Sequence, residues 1–570
     1  MVNGNQIMCG FVYVSSSNKK IRPINYKIMQ YRGPDYSKEI DLGWCRFRHW
    51  RLSIQDLTSE SNQPYSDGQD YLVYNGEIYD YRDIGVRYFS KAFSSDTQLI
   101  FQALSNESFE MVKNESGFYS FVFIKELQKQ VFSARDSFGK KPLYYYFDNE
   151  LLIIASEDRA VRDIALDYGK AIKVNTLSIA HYLRFKDLHF GNTFYDGVLE
   201  LPPGSTLEFD FEKWELLESR SWEDYYYAKP FYKEEIYDRS ISENTLTQFK
   251  QRLFSAIEKR FTADVPVQLA LSGGVDSTLV ALVAKNRHKY FERVLTVHSS
   301  SRPSELIKAT LLCERFQLRQ KVIDFDAIDV LYLLRQAICA QGGPLSHPHA
   351  LAVFAITQEA TNIGKVLITG EGADELMYGY EHYKNDNSTF AFLEHIDLSA
   401  YFDINNIDQD DSLKDISWNK FLKNNDLRDL DVKTHLLSLL RRNDRMSMRN
   451  SVELRSAYLD FDLFKFVAHH QEKGILKKGK TALVKIIKEF HQDYEVDQEK
   501  IGFYVPFDHW YYTQKNKNAL VKEYITKALD FLKVNLNWKL KENVDIKEKF
   551  AWALINIGLF LELEEENYDC

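Results

Sequence analysis

The sequence lacks several features that would place it in a class at once. No apolar run reaches the roughly 18 residues of a membrane span, and the N-terminal stretch contains no apolar core of a signal peptide. The formal net charge is −10, so the basic surplus of proteins that bind nucleic acids or anionic membranes is absent. We therefore expect a cytoplasmic protein with neither nucleic acid nor membrane among its partners.

Cysteine is scarce as well. The five cysteines are scattered, and they form neither a CxxC pair nor a Cys/His cluster with zinc spacing. This use of cysteine favours a reducing, cytoplasmic compartment. What is present is ordinary for a globular protein: 570 residues, 45% of them hydrophobic and 27% charged, enough for two to four domains.

The hydrophobic pattern changes near residue 240. Short aromatic and β-branched runs such as "MCGFVYV" and "GFYSFVFIKE" predict strands in the first third. From "TLTQFKQRLFSAIEKRFTA" onward, helical and buried-strand patterns alternate, which predicts a parallel sheet covered by helices. We interpret residues 219–245 as a linker, residues 403–420 as a solvated excursion, and the chain beyond about 430 as mostly helical.

Cys9 raises the first chemical question. Cys-Gly-Phe before a β-prone run is typical of an N-terminal nucleophile, yet eight residues precede Cys9. A thiol has a pKa of about 8.5 and an α-amine one of about 8, so an N-terminal cysteine carries its own general base. Cys9 is therefore a working nucleophile, a buried core cysteine, or a nucleophile that awaits exposure.

Five further motifs follow "CGF" in order, and they set its context. They are "YRGPD" (31–35), "RLSIQDL" (51–57), "YNGEIYDY" (74–81), "SDT" (95–97) and "ARDSFGKKPLYYY" (134–146). Taken alone, Asn75-Gly76 at the end of an apolar run predicts a hairpin turn, and Arg51 is an ordinary surface arginine. Taken together, the motifs resemble the class II glutamine amidotransferase domain, an N-terminal-nucleophile hydrolase.

That resemblance implies roles for named residues. Cys9 attacks the amide carbon of glutamine, and the Asn75 side chain and the Gly76 backbone N–H stabilise the oxyanion. Arg51 binds the α-carboxylate of glutamine, while Glu77 and Asp96 hold its α-ammonium. The family commonly has histidine before RGPD; here the residue is Tyr31, which we expect to be structural.

A second constellation begins at "DVPVQLALSGGVDSTLV" (264–280), where a buried strand, a Gly-rich turn and a helix follow one another. Backbone N–H groups and the helix dipole suit such a turn to phosphate. No GK[ST] follows, so it is not a Walker loop. The alternative is a βα turn without a ligand. The turn resembles the SGGxDS PP-loop of enzymes that cleave ATP to AMP and pyrophosphate.

Downstream, "KVLITGEGADELMYGYEHY" (365–383) delivers Glu371, Asp374 and Glu375 after a buried strand. Three acids beside a phosphate loop call for a cation, and Mg²⁺ prefers carboxylate and phosphate oxygens. We assign Asp276 and Asp374 to Mg²⁺. The alternative is an acidic cluster that merely favours a helix N-terminus.

"RRNDRMSMRNSVELRSAYLD" (441–460) and "EKIGFYVPF" (499–507) complete a pattern that runs from about Cys9 to about Phe507. It resembles the glutamine-dependent asparagine synthetase family. The resemblance implies an N-terminal-nucleophile αββα sandwich at residues 9–218, followed by an α/β parallel-sheet PP-loop domain with a helical C-terminal part at residues 240–570. It also implies adenylation of a carboxylate by ATP, ammonia transfer from Cys9 through an internal tunnel, and a homodimer.

The same resemblance extends to the ATP side. Leu271, Thr369 and Gly370 would contact adenosine through their backbone. Pyrophosphate would be cradled by four residues of the loop: Ser272, Gly273, Gly274 and Ser277. Glu371 would assist ammonia attack as a base, and Lys500, otherwise a solvated lysine, would neutralise developing charge. Lys480 is predicted to be structural or peripheral.

The carboxylate that accepts the nitrogen is less determined. Aspartate is the family's acceptor, but a frequent "DEPFxDP" stretch appears here as "GGPLSHP" (342–348), with two acids lost. Three hypotheses stand: aspartate amidation, amidation of another carboxylate such as a sugar uronate, and a non-catalytic amidotransferase-like binding protein. Intact NGE, SGGVDS and GEGADE motifs argue against the last.

Overall fold

The computed structural model describes residues 9–33, 35–230, 245–284, 290–384, 396–402, 427–470, 480–495, 505–515 and 517–566. Residues 1–8, the predicted excursion at 403–420 and Lys500 lie outside the described residues. We call residues 9–230 the N-terminal region and residues 245–566 the C-terminal region.

The described chain forms three sheets from short strands. The strands are β1 Gly10–Ser16, β2 Tyr36–Asp41, β3 Cys45–Arg51, β4 Tyr65–Ser66, β5 Asp70–Ile78, β6 Gly117–Lys125, β7 Gln130–Arg135, β8 Tyr144–Phe147, β9 Leu151–Ala155, β10 Leu199–Glu200, β11 Thr206–Asp210, β12 Glu215–Glu218, β13 Val267–Ala270, β14 Phe291–His298, β15 Gln320–Asp324, β16 Val366–Thr369 and β17 Glu453–Ser456.

Helices separate the strands and dominate the end of the chain. They are α1 Tyr81–Phe89, α2 Asp96–Ser105, α3 Asp158–Asp167, α4 Thr176–Phe185, α5 Trp222–Tyr227, α6 Thr245–Lys259, α7 Val275–Ala284, α8 Pro303–Phe316, α9 Val330–Gln341, α10 His349–Ala360, α11 Ala373–Met377, α12 Leu427–Lys433, α13 His435–Arg449, α14 Phe461–His470, α15 Thr481–Phe490, α16 Phe507–Gln514, α17 Ala519–Leu536 and α18 Glu548–Glu565. None of the helices in the described ranges is both long and apolar enough to cross a membrane.

The N-terminal region is a sandwich of two antiparallel sheets. One has the order β10-β8-β9-β1-β3-β2 and the other β12-β11-β7-β6-β5-β4. Alternate side chains of each strand point into the layer between the sheets, where Phe11 and Tyr13 of β1 join Val122 and Ile124 of β6. The sheets therefore bury their inner faces against each other.

Helices cover both outer faces of the sandwich. Val12 and Val14, which alternate with the inward residues of β1, pack in one cluster with Val161 of α3 and Ile179 of α4. The outer face of the second sheet packs against α1 and α2. The predicted αββα arrangement is confirmed.

The C-terminal region is built on a parallel sheet of order β15-β14-β13-β16-β17. Leu269 and Ala270 of β13 belong to separate apolar clusters on opposite faces, as expected for a sheet covered by helices on both sides. The order places β13 and β16 side by side, so the segments that follow them meet at the same edge. The predicted parallel sheet and helical C-terminal part are confirmed.

The predicted linker is not simply a linker. Its first part forms α5, which starts with a Ser221 capping box and buries Trp222 and Tyr226. These rings pack with Leu430 and Leu437 of the C-terminal region. The aromatic content of this segment therefore reflects burial between the two regions. A helix of six residues is too short to show a hydrophobic period in the sequence, so this burial could not be predicted.

Candidate active site

Cys9 lies directly before β1 and beside the end of β3. Its Sγ accepts a hydrogen bond from the Leu52 N–H (3.3 Å) and lies 3.6 Å from the Leu52 carbonyl oxygen, to which the thiol donates. Burial raises the pKa of the Cys9 thiol to about 12, and the charges of Glu77 and Glu453 add to the shift, while the Leu52 N–H and Arg51 oppose it. The thiol in this setting stays protonated unless a base reaches it.

Asn75 and Gly76 lie inside strand β5, paired with Ser120 and Tyr119 of β6. The hairpin-turn interpretation is therefore wrong. Glycine is required at position 76 for a different reason, because a Cβ there would lie 2.2 Å from the Phe118 carbonyl oxygen. The Nδ2 of Asn75 is buried and has no hydrogen-bond partner among the described residues, so this amide is a donor left open for a ligand.

Arg51, the last residue of β3, is held by the loop that follows it. Its guanidinium donates to the Thr58 carbonyl and to Asn62 Oδ1, each at 2.7 Å, and also to the Asp56 carbonyl. The group is close enough to Cys9 for its charge to lower the thiol pKa. A fixed guanidinium beside the thiol fits recognition of a carboxylate.

Glu77 and Asp96 form a pair of buried carboxylates next to the thiol. Asp96 accepts from the Tyr74 hydroxyl (3.0 Å) and the Ile78 N–H (3.1 Å), yet burial raises its pKa to about 6. Burial and the Asp96 charge raise the Glu77 pKa well above its usual range. Two neighbouring acids that resist ionisation favour a ligand with a positive charge.

The Gly-rich segment 271–274 joins β13 to α7, as predicted. The Ser277 hydroxyl contacts Ser272 Oγ (3.2 Å) and donates to the Gly274 carbonyl (3.3 Å), which closes the turn. Gly273 has φ +81°, a conformation that favours glycine. The loop thus lies at the N-terminus of a ten-residue helix, where backbone N–H groups suit phosphate oxygens.

The segment after β16 closes on the same loop. A Cβ at Gly370 would lie 2.9 Å from the Asp276 Cβ and 3.1 Å from the Ser277 nitrogen, so the two loops are in direct contact. The Oγ1 of Thr369 is buried and has no hydrogen-bond partner within the described part of the chain. Leu271 lies at the carboxyl end of β13, with its N–H bonded to Leu295. The predicted adenosine and pyrophosphate residues therefore come together at one sheet edge.

Lys480 is a site residue that the sequence interpretation missed. Its Nζ lies 2.6 Å from Asp276 Oδ2 and 2.6 Å from Asp374 Oδ1, so it bridges the two acids assigned to Mg²⁺. A Cβ at Gly379 would lie 2.6 Å from the Lys480 Cε, which shows how closely the lysine stem passes the backbone. The sequence did contain one signal for such a lysine, namely Asp276 and Asp374, because neighbouring carboxylates require a cation close by.

Glu371 faces the two residues that directly precede the "DRMSM" segment (444–448). It accepts from the Arg442 guanidinium and from the Asn443 side-chain amide. Glu375, four residues on, accepts from the Tyr380 hydroxyl (2.7 Å), and burial raises its pKa to about 7. Glu371 is thus oriented by α13, while Glu375 is held inside its own segment.

Helix α13 joins the two regions through buried ion pairs. Arg445 pairs with Glu157 (3.0 Å) and Asp158 (2.5 Å), and Asp444 pairs with Arg32 (2.8 Å) and Lys141 (3.2 Å). Tyr31 also donates to Glu157, which agrees with the structural role expected of it. "DRMSM" therefore supplies a buried, charged contact between the regions, beside the apolar one made by α5.

A cavity lies at this contact, between the two sites. Tyr79 and Phe118 of the N-terminal region line it on one side, and Asn443 and Asp444 of α13 on the other. Phe118 is the strand partner of Glu77, and Asn443 donates to Glu371. The cavity offers about 20 Å³ to the centre of a water-sized molecule, room for one small molecule between the two sites.

Comparison with known proteins agrees with this architecture. The family model described as asparagine synthase matches residues 248–541, and the model described as a glutamine amidotransferase domain matches residues 8–222. The two sites therefore belong to a glutamine amidotransferase joined to a synthetase. The asparagine synthase model matches more than half of the chain. The chain therefore belongs to the asparagine synthase family.

Curated relatives carry more than one name. Glutamine-hydrolyzing asparagine synthetase 1 of Bacillus subtilis is 25% identical over 90% of this chain and 89% of its own length. A putative glutamine-hydrolyzing asparagine synthetase 2 of Methanocaldococcus jannaschii is 26% identical over 66% of this chain and 76% of its own. Amidase chry2 of Gibberella zeae is 26% identical over 63% of this chain and 55% of its own.

Proposed function

We propose that this protein is an ATP-dependent ligase that moves the amide nitrogen of glutamine to the side-chain carboxylate of aspartate, forming asparagine, glutamate, AMP and pyrophosphate. The observation that carries the proposal is the joining of two sites in one chain. Between the Glu77 site and the Glu371 site lies a cavity that is lined by residues of both regions. The proposal keeps residues 9–218 as the glutaminase domain and 240–570 as the synthetase domain.

In the first half-reaction, the Cys9 sulfur attacks the amide carbon of glutamine. The oxyanion is stabilised by the open Nδ2 donor of Asn75 and by the Gly76 N–H. Arg51 pairs with the α-carboxylate, and the α-ammonium meets the Glu77 and Asp96 pair, which is short of positive charge. Ammonia leaves, and water hydrolyses the thioester to glutamate.

In the second half-reaction, the acceptor carboxylate attacks the α-phosphate of ATP and pyrophosphate leaves. The loop of Ser272 to Ser277 holds the phosphates, with Lys480 supplying positive charge beside them. Asp276 and Asp374 present carboxylate oxygens next to this loop, a donor set that fits Mg²⁺, which would neutralise phosphate charge when bound. Ammonia then attacks the acyl carbon, with Glu371 as the proton acceptor and Lys500 assigned to the developing charge.

Cys9 needs a free α-amine for this chemistry. Among the described residues, the Cys9 thiol forms hydrogen bonds with the Leu52 backbone, which offers no base, and burial raises the thiol pKa to about 12. We propose that Met8 is the physiological start, so that methionine removal exposes Cys9, with cleavage of a short propeptide as the second route. Intact-mass measurement of the native protein tests this: a chain that starts at Met1 and retains full glutaminase activity contradicts it.

A second acceptor class is favoured by a specific observation. Gly342 ends α9 with φ +71°, and a Cβ at Gly343 would lie 2.3 Å from the ring of Phe194, so this stretch offers packing where the family has acids. Farther along the same stretch, the His347 ring lies 6.1 Å from that of His435. A stretch that itself contains no acid is less suited to the amine of aspartate, and a carboxylate without an amine, such as a sugar uronate, is the second candidate.

The deciding experiment supplies ATP, Mg²⁺, glutamine and aspartate to protein with a free Cys9 amine, and identifies the products by mass. Asparagine, glutamate, AMP and pyrophosphate in equal amounts support the proposal. Cys9→Ala is the matched control, because it should abolish glutamine use while leaving synthesis from added ammonium. Active glutaminase without asparagine favours the second acceptor class, which a uronate then tests. Absence of ATP–pyrophosphate exchange with every carboxylate favours the non-catalytic binding protein.

A further inference from the structure

Two lysines line the cavity between the sites, and their charges are not balanced there. Lys140 and Lys141 both contribute to its wall, and among the described residues that line it, Asp444 carries the only carboxylate. Asp444 is already shared between Lys141 Nζ (3.2 Å) and the Arg32 guanidinium (2.8 Å). A cation that entered the cavity would therefore meet more positive than negative charge.

In the part of the chain that the structure describes, Lys140 is held by backbone carbonyls, with no carboxylate at hydrogen-bond distance. Its Nζ donates to the Gly117 carbonyl (2.8 Å) and to the Leu459 carbonyl (2.9 Å), one from each region. It also lies 5.3 Å from the ring centroid of Phe138. The ammonium group is thus fixed between the regions at the wall of the cavity.

The charged groups around Lys140 set when it is protonated. Burial lowers the Lys140 pKa to about 7; the charge of Arg260 adds to the shift, whereas those of Asp136 and Asp460 oppose it. The group is therefore charged below about pH 7 and neutral above it. In water, ammonia is already almost entirely protonated at these pH values, so below about pH 7 a charged Lys140 would face ammonium as the predominant form.

We propose that Lys140, assisted by Lys141, makes the cavity selective for neutral ammonia by repelling ammonium. The inference rests on the proposed function, because it assumes that ammonia crosses from Cys9 to Glu371. Ammonium cannot attack an acyl adenylate, since its nitrogen has no lone pair. A positive wall raises the free energy of ammonium in the cavity, so nitrogen released from glutamine stays in the nucleophilic form. Lys140 is a selectivity residue in this step and touches no reacting atom.

The functional test compares Lys140→Met, which removes the charge at similar length, with Lys140→Arg, which keeps it at every pH. Lys213→Met, at an exposed site, is the matched control. The readout is amide formed per glutamate released. We expect a ratio near one for the unmodified enzyme, a loss of about three- to tenfold for Lys140→Met near pH 6, and little loss near pH 8. Lys140→Arg should keep the ratio at both pH values.

A second measurement does not depend on the acceptor or on activity. Thallium(I), a monovalent cation similar in size to ammonium, is soaked into crystals near pH 6 and located by its anomalous scattering. We expect no thallium in the cavity of the unmodified protein or Lys140→Arg, and an occupied site in Lys140→Met. Thallium in the unmodified cavity, or none in Lys140→Met, overturns the proposal. The proposal is also overturned if Lys140→Met and Lys140→Arg lower the ratio equally and at every pH. That outcome is expected if Lys140 only holds the two regions together. Failure of the proposed function is seen separately, as an unmodified enzyme that releases glutamate but forms no amide.

Discussion

Glu77 and Asp96 in the N-terminal region, and Asp276 and Asp374 in the C-terminal region, are two pairs of neighbouring carboxylates in contrasting surroundings. Lys480 lies 2.6 Å from an oxygen of both acids in the second pair. In the first pair, the guanidinium of Arg455 lies farther off, at 3.9 Å from Glu77. Burial accordingly raises the pKa of Asp96 to about 6 and that of Glu77 well above its usual range.

The contrast follows the charge of the proposed ligands. A glutamine α-ammonium brings its own positive charge, so a carboxylate pair that no cation bridges at hydrogen-bond distance gains most from binding it. ATP brings negative charge, and acids beside its phosphates would repel it unless a lysine or Mg²⁺ offsets them. The two sites therefore use paired carboxylates for ligands of opposite charge. The difference between them is Lys480, which bridges the second pair.

The largest expected effect comes from removing that cation. Lys480→Met leaves Asp276 and Asp374 facing each other and removes the positive charge beside the phosphate loop. We expect ATP–pyrophosphate exchange to fall by about 10³-fold, the upper end for one stabilising group. Radiolabelled pyrophosphate exchange measures it.

Lys488→Met, on the exposed side of the same helix, is the control for that substitution. Glutaminase activity should remain in both variants, because Cys9 and its partners lie in the other region. Exchange within a few-fold of the unmodified enzyme in Lys480→Met would return Lys480 to the peripheral role that the sequence first suggested.

The second prediction concerns the open donor of the glutaminase site. Asn75→Ala removes the Nδ2 that has no partner in the described structure, so little native bonding is lost. We expect the kcat of glutamine hydrolysis to fall by about 10²-fold, as for loss of one oxyanion donor. Asn149→Ala, in an exposed turn, is the control. An equal loss of ATP–pyrophosphate exchange would show that Asn75 acts on the fold instead.

The alternation of patterns in the C-terminal region was enough to predict its parallel sheet, because each strand and helix is signalled by its own few residues. The ordered motifs likewise predicted one site for Arg51, Asn75 and Asp96, an assignment that stays a prediction. Asn75-Gly76 was harder. Asn-Gly is a typical turn sequence, but Gly76 is required here because Phe118 on the next strand comes so close. No local sequence pattern encodes that approach.

For the same reason, pairings between distant parts of the chain could not be predicted from the sequence. Lys480 meets Asp276 across 204 residues, and Arg32 meets Asp444 across 412. Each residue alone is an ordinary charged residue on a helix or loop, and only the packed sheets bring the partners together. The cavity and its lysines depend on such pairings, so they emerge from the structure alone.

A third prediction uses pH to separate the two carboxylate pairs. The Asp96 pKa of about 6 means that its carboxylate is lost as the pH falls through that value. Glutamine binding needs the charged form, so the KM for glutamine should rise about tenfold for each pH unit below about 6. The KM for ATP should not follow this profile. Initial-rate measurements from pH 5 to 8 check both.

Asp96→Asn is the companion variant for that profile. It should have a raised KM for glutamine that no longer varies near pH 6. The raised pKa also means that the folded chain binds this proton more tightly than the unfolded chain does. The stabilisation from Asp96 protonation is therefore present at low pH and lost as the pH rises through about 6. A KM that stays flat in the unmodified enzyme would contradict the assignment of Asp96 to the α-ammonium.

The smallest expected effect tests how precisely Lys480 must be placed. A Cβ at Gly379 would lie 2.2 Å from Asp374 Oδ1 and 2.6 Å from Lys480 Cε, so Gly379→Ala forces both side chains to shift. Such overpacking costs about 1–3 kcal/mol, part of which should fall on the lysine bridge. We expect the KM for ATP to rise about three- to tenfold while the KM for glutamine is unchanged. If both constants stay unchanged, the bridge tolerates displacement, and the contrast between the two carboxylate pairs depends on the presence of the lysine charge rather than on its position.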